Sequence, residues 1–360
     1  MKNLYKCSIC LMLLLSACGG GSSNSDNSNG GGSSGIFSSG GATAQRVAID
    51  NYVNNFIVPT LTSLDNNAGN LLTAVRNLVS NPTAENLSAT KAAWVATRIP
   101  WENSESALFG PVDFYGFDPA MDSWPVNKTD LESVISSGTA LTKNTVASFD
   151  NSLKGFHTIE YLIYGDNGSK AVGALTAREM EYLLATTEAL KDVTSSLLAS
   201  WVDGFAGQSP YAEEVVKAGQ GSSTFVSEGS AIEQFVRGIV GICDEVANGK
   251  IADPFDQRNP NIVESQFSGN SLTDFRNNII GARTAYTSSV SALVLARNTT
   301  LDASVRTAFE QAINAIDAIP ETFLLAIQDS NNDAVIENAQ AKIRALQNLI
   351  EGEVLPIVIN

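Results

Sequence analysis

The chain has 360 residues, enough for two domains of ordinary size. Its hydrophobic content of 44% can build a full core, while charged residues make up only 17%, with acids in excess for a formal net charge of -16. Phosphate binding needs clustered Lys and Arg, so this balance argues against a nucleic-acid partner; an acidic surface suits solubility and loose attraction of cations.

Residues 1–17 read as a targeting segment rather than fold. Lys2 and Lys6 form a short positive region, the apolar run Leu11 to Leu15 follows, and Leu15-Ser16-Ala17-Cys18 closes it. That run is too short to span a bilayer as a mature helix. The segment resembles a bacterial lipoprotein signal whose lipobox ends at Cys18, which implies cleavage before Cys18 and lipidation there. The alternative is an ordinary secretory signal with a chance cysteine. Gly19 rather than aspartate follows Cys18, which favours an outer-membrane destination on either its periplasmic or its surface face. Cys7 and Cys10 leave with the signal and lipid takes Cys18, so Cys243 alone remains and no intramolecular disulfide is expected. Residues 18–43, dominated by Gly, Ser and Asn, cannot bury a core and read as a flexible tether.

From Ala44 onward the pattern is helical. Val47, Tyr52, Phe56, Leu61, Leu64, Leu71, Leu72, Val75 and Leu78 recur at three- and four-residue spacing. Pro59 predicts a kink or split. Asn81-Pro82-Thr83 ends this helix, and Thr83 caps a second that carries Leu87, Trp94, Arg98, Trp101 and Glu105, with a bend expected at Pro100. Residues 109–128 break the periodicity. A loop so aromatic is expected to pack back on the body and to carry function. Thr129-Asp130-Leu131-Glu132 and Thr176-Ala177-Arg178-Glu179 read as capping boxes, the second opening a long helix to about Gly204. Residues 205–223 form a connection with a short helix, 224–248 are helical, 249–270 irregular, and three helices follow at about 271–296, 302–328 and 332–351. Period-two alternation is almost absent. The reading is an all-α protein of two antiparallel helical bundles, 44–205 and 206–360.

His157 is the only histidine of the chain. In a helix, His157 and Glu160 lie side by side on one face, and Gly155 removes a side chain where another helix or a ligand can approach. A zinc-peptidase His-Glu-x-x-His cannot exist with one histidine, and neither a serine elbow nor a phosphate-binding glycine loop is present. A metal site using His157 and Glu160 remains open, with a further ligand from Glu102, Glu105, Asp113, Asp118 or Asp122. Trp94, Arg98, Trp101 and Glu105 share one stripe of the second helix, and Arg98 is a natural partner for Glu160. The competing reading is a buried ion pair and a satisfied histidine that fix helix register.

These residues fall into recognisable motifs. Gly155-x-His157-x-x-Glu160 followed by Tyr161-Leu162, Trp94-x-x-x-Arg98-x-x-Trp101-Glu102-x-Ser104-Glu105-x-x-x-Phe109-Gly110-Pro111, Asp122-Ser123-Trp124-Pro125 and Asp274-Phe275-x-x-Asn278-Ile279-x-Gly281 together resemble the imelysin-like family. The resemblance covers nearly everything after the tether. It implies two helical, bundle-like domains, attachment to the bacterial envelope and an association with iron acquisition. The expected site lies where the His-x-x-Glu helix meets the Trp/Arg/Glu segment. Metal ligation is then expected of His157 and Glu160, and ligand contact of Arg98, Trp101, Glu102, Glu105, Asp122 and Gly155. Iron or another divalent metal is the implied cofactor, with a haem-type ligand and iron-transport components as further partners. The family was first classed with metallopeptidases; with one histidine, this chain offers that chemistry little support, and no catalytic residue is assigned. A non-catalytic envelope scaffold is the third reading. Tyr115, Trp124, Tyr161 and Tyr164 are more simply core residues than a haem or siderophore platform.

Overall fold

A computed structural model describes residues 43–359. Cys18 and the expected signal and tether lie outside the described residues, apart from Thr43, whose hydroxyl caps the first helix by accepting the Arg46 N–H at 3.0 Å. The described chain is all-α, with no strand among these residues. Its main helices are α1 (residues 44–80), α2 (Ala84–Ser104), α3 (Phe117–Asp122), α4 (Gly155–Tyr164), α5 (Ala177–Val202), α6 (228–257), α7 (271–295), α8 (Thr299–Asp317) and α9 (333–358).

The apolar spacing read from the sequence is the spacing that is buried. Leu61, Leu64, Leu71, Val75 and Leu78 of α1 are sealed against α2 and α5, and each such side chain removed from water contributes about 1.5–3 kcal/mol. In the second half α7 packs on α6 and α8, and α9 on α6 and α8. The halves meet where α2 crosses α7. The start of α1 also reaches across, where Tyr52 stacks face to face on Phe235 of α6 with ring centroids 3.6 Å apart.

Prolines shape the long helices in a consistent way. A proline lacks the N–H of the helical ladder and its ring presses on the carbonyl four residues back. Pro59, Pro254 and Pro356 each follow a π-helical turn, at Val53–Ile57, Glu245–Ile251 and Ile350–Val354. The expected kink at Pro59 is therefore absorbed as a widened turn, and α1 continues to Ser80. The same device carries α6 through Gly249 and past the end expected at residue 248. Pro100 sits inside α2 without ending it. The carbonyl it would have bonded, that of Ala96, instead accepts the Asn67 side-chain amide of α1 at 2.8 Å.

Of the two expected capping boxes, Thr176–Glu179 forms as read. The other is displaced: Asn127, two residues before Thr129, caps the helix Lys128–Ser136 by accepting the Asp130 N–H at 3.1 Å. Asparagine caps as well as threonine, and Glu132 is engaged elsewhere, by the Tyr161 hydroxyl. The segment expected at 302–328 is broken after Asp317, ahead of Pro320. The aromatic segment 109–128 folds into two short helices, Pro111–Phe114 and α3.

Candidate functional site

The helix α2 is unusual in what it buries. Arg98, Trp101 and Glu102 are fully buried on it, and Glu105 follows in the next turn at 4% exposure. Isolated buried charges are expensive, so partners must come from elsewhere. They come from four segments. Asp122 closes α3, His157 and Glu160 ride on α4, Lys250 lies on the π-helical turn of α6, and Glu264, Asp274 and Asn278 belong to the turn before α7 and its first half.

Two close backbone approaches make this convergence possible. At Gly155 (φ +81°) an added Cβ would fall 2.2 Å from the Met121 carbonyl oxygen, so only glycine lets α4 begin against the residue preceding Asp122. At Gly281 a Cβ would fall 2.1 Å from the Asn103 carbonyl oxygen, which brings α7 onto the end of α2 beside Glu102 and Glu105.

At the centre stands Arg98. Its Nη1 donates to Asp122 Oδ1, and its Nη2 faces Glu264 Oε1 at 2.8 Å, Glu102 Oε1, and Asp274 Oδ2 at 3.5 Å. The guanidinium also lies over the Phe156 ring, 5.1 Å from its centroid. Trp101 Nε1 donates to the second oxygen of Asp122 at 2.6 Å. Lys250 Nζ faces Glu105 Oε2 at 2.9 Å, Glu264 Oε2 at 3.1 Å and Glu102 Oε2 at 3.4 Å. The Asn278 amide bonds Glu102 Oε2 at 2.7 Å and Glu105 Oε2 at 2.5 Å.

His157 bridges to this network. Its Nδ1 lies 2.9 Å from Glu160 Oε2, and its Nε2 lies 3.1 Å from Asp122 Oδ1. The Nε2 contact is too misaligned for a directed hydrogen bond, and that atom is buried without one. The partner expected for Glu160 was Arg98; the partners observed are His157 and Ser268, whose N–H and hydroxyl both donate to Glu160 Oε1 at 2.7 Å. Both oxygens of Glu160 are thereby committed behind the imidazole ring. Asp113 is exposed and Asp118 half-buried, outside the tight cluster.

Six buried carboxylates (Glu102, Glu105, Asp122, Glu160, Glu264, Asp274) face two buried fixed cations and one histidine. Acid is in excess, and the titration of the groups reflects it. Burial alone would lower the His157 pKa, but the Asp122 and Glu160 carboxylates outweigh it and raise it to about 10. Burial also opposes ionisation of Asp122, yet Arg98 and His157 hold its carboxyl well below the usual range. Burial pushes Glu264 up to about 8 and Asp274 up to about 7, against the pull of Lys250 and Arg98 respectively, and it raises Glu105 well above its ordinary value with Glu102 adding to the effect.

Two groups of donor atoms in this cluster converge within 4.8 Å of one another, Asp122–His157–Glu264 and Glu102–Glu264–Asp274. The second surrounds the Nη2 of Arg98, whose guanidinium already supplies its positive charge. In the first, His157 Nε2 makes no directed hydrogen bond, while Glu264 Oε2 meets the Lys250 ammonium at 3.1 Å. Its donor set, two carboxylates and one imidazole, is a fit for a hard or borderline metal ion.

The structure brings together Arg98, Trp101, Glu102, Glu105, Asp122, Gly155, His157 and Glu160, leaves Asp113 and Asp118 outside, and adds Lys250, Glu264 and Ser268, which carry no motif. Lys250 and Glu264 both fall in 249–270, whose composition reads as irregular, and no spacing links them to His157.

The fold and centre define a class: an all-helical protein closed around a buried, carboxylate-rich ionic cluster with a single histidine. The chain belongs to the imelysin family, whose model matches residues 57–350. It is 30% identical over 335 residues to the iron-regulated protein A of Synechococcus elongatus, covering 90% of each chain. Among solved structures, it resembles an iron-regulated protein A precursor from Parabacteroides distasonis (TM-score 0.81, 26% identity, 89% of this chain and 97% of the other). An imelysin-like protein from Psychrobacter arcticum shares the fold (TM-score 0.72, 14% identity, 88% and 95%).

Proposed function

We propose that the protein is a lipid-anchored component of the cell envelope that binds an iron ion, as cargo, at Asp122, His157 and Glu264. The observation carrying this reading is the convergence of those three buried residues' donors within 4.8 Å, with His157 Nε2 left without a directed hydrogen bond. His157 Nε2 and the two carboxylates are the ligands in this reading. Glu160 holds the far side of the ring and raises its basicity, as carboxylates behind metal-bound histidines do. Trp101 fixes Asp122, while Arg98 balances charge. Glu102 and Glu105 are held by Lys250 and Asn278 beside the centre, and Gly155 admits the backbone that delivers Asp122. The relatives named for iron regulation support the choice of iron among hard and borderline ions.

The Leu15-Ser16-Ala17-Cys18 pattern supports lipidation at Cys18 and an outer-membrane location, and handover to iron-transport components follows from a role in uptake. No helix among the described residues is long and apolar enough to cross a membrane, so attachment in this reading rests on the lipid.

The test is calorimetric titration of the purified protein with ferrous iron under anaerobic conditions, ferric iron, zinc and haem. Binding of an iron species that His157→Ala abolishes is the expected result; equal binding by His157→Ala sinks the reading. A peptidase is disfavoured because His157 is 2% exposed and a polypeptide cannot reach it in this conformation. Chelator-sensitive cleavage of unfolded protein, lost in Glu160→Gln, would reverse that judgement.

A further inference from the structure

Glu264 is shared by both fixed cations of the cluster, Arg98 and Lys250. It belongs to both groups of converging donor atoms. Its Oε1 also accepts from Arg98 at 2.8 Å and from Lys250 at 3.2 Å, and its Oε2 lies 3.1 Å from Lys250 Nζ. Arg98 is tied to three further carboxylates, and its guanidinium rests on an aromatic face. Lys250 is held differently. It stands on a π-helical turn, a local widening that often marks functional positions, and through one compact ammonium it meets three buried carboxylates, with the partly exposed Glu245 at 4.0 Å. Trp124 covers it, with Nζ 5.3 Å from the ring centroid, and the same indole lies 6.2 Å from the His157 ring. An ammonium and a metal ion therefore draw on the same carboxylate under the same aromatic cover. The attraction between Glu264 and one of them is weakened by the other.

We propose that Lys250 is the resident cation of the site, drawn off Glu264 when a metal ion binds, and that this competition sets the affinity and release rate of the ion. The proposal rests on the cation-binding reading above. With the ammonium retained, Glu264 has a partner in the absence of the ion, and the ion is held loosely enough to be handed on. Glu102, Glu105 and Asn278 keep their mutual contacts in either state, so the lysine has carboxylates to return to.

The experiment titrates the purified full chain with manganese(II), a redox-stable hard cation, and compares wild type with His157→Ala, Lys250→Met and Lys250→Arg. Wild-type binding that His157→Ala removes establishes the site. Lys250→Met is then expected to bind roughly tenfold tighter or more, with slower release in stopped-flow chelation, while Lys250→Arg, which keeps the charge, stays close to wild type. Binding by Lys250→Met that equals or falls below wild type overturns the proposal and leaves the site reading intact. Absence of binding by wild type and Lys250→Met alike, both folded, overturns both. If Lys250→Met does not fold, a manganese-bound crystal structure of wild type decides. Separation of Lys250 Nζ from Glu264 beyond hydrogen-bond reach supports the proposal, and a contact retained near 3.1 Å overturns it.

Discussion

Glu160 Oε1 accepts both the backbone N–H and the hydroxyl of Ser268, each at 2.7 Å, across 108 residues of sequence. With its other oxygen on His157 Nδ1 at 2.9 Å, the carboxylate is saturated, and the imidazole is fixed with Nε2 toward Asp122. This makes Glu160 a positioning residue. Glu160→Gln should weaken iron binding about 10- to 100-fold, the usual effect of removing a carboxylate behind a ligating histidine. Ser268→Ala should weaken it less, because one of the two donors survives. Calorimetry on both variants checks the order; equal affinity in Glu160→Gln would show that the ring needs no such partner.

Arg98 is the fixed positive charge to which four carboxylates are tied. Removing one partner from a buried ion pair leaves uncompensated charge and costs about 3–5 kcal/mol. Arg98→Met should lose at least that much stability in denaturant titration. Addition of a bound cation should recover part of the loss.

The stability of the ion-free protein should fall as pH rises through neutrality. His157 is raised to about 10 from an ordinary 6.5, so the stability it supplies is complete below about pH 6.5 and is lost as pH climbs to 10. Glu264 and Asp274, raised to about 8 and about 7, hold a proton more tightly in the fold than in the unfolded chain, so their contribution also disappears between about pH 4 and 8. Asp122 runs the other way: its contribution is complete above the ordinary carboxylate range and is lost only as pH falls below it, outside this window. Melting temperatures from pH 5 to 9 in chelator should therefore decline, and a bound cation should flatten the decline. A melting temperature that rises across this window would contradict the arrangement of charges.

Gly281→Ala places a methyl where the Asn103 carbonyl oxygen stands 2.1 Å away. Overpacking of this kind costs about 1–3 kcal/mol, and here it pushes α7 off the end of α2. The thermal midpoint should drop, and cation affinity should drop with it, because Asn278 and Asp274 ride on the displaced helix. Gly249→Ala, where a Cβ meets nothing within 4 Å, is the control expected to change neither.

Much of the architecture is a local property and was readable from residue order. Apolar side chains three and four apart define the buried stripes of α1, α5 and α7, and Thr83 and Thr176 cap helices through contacts only three residues long. The side-by-side placement of His157 and Glu160 is equally local, one turn of α4. Where two caps compete within a few residues, as Asn127 and Thr129 do, spacing alone chose wrongly, because the choice depends on what Glu132 finds across the fold. The ionic centre is of another kind. Lys250 meets Glu105 across 145 residues and Glu264 meets Arg98 across 166. No periodicity encodes such pairs, because they exist only once α2, α4, α6 and α7 have packed at glycines that let their backbones touch. Helix periodicity and capping thus set the elements and the motif histidine in advance. Which carboxylates and which cations surround that histidine was decided by tertiary packing, since a buried charge is stable only beside partners that the folded chain delivers.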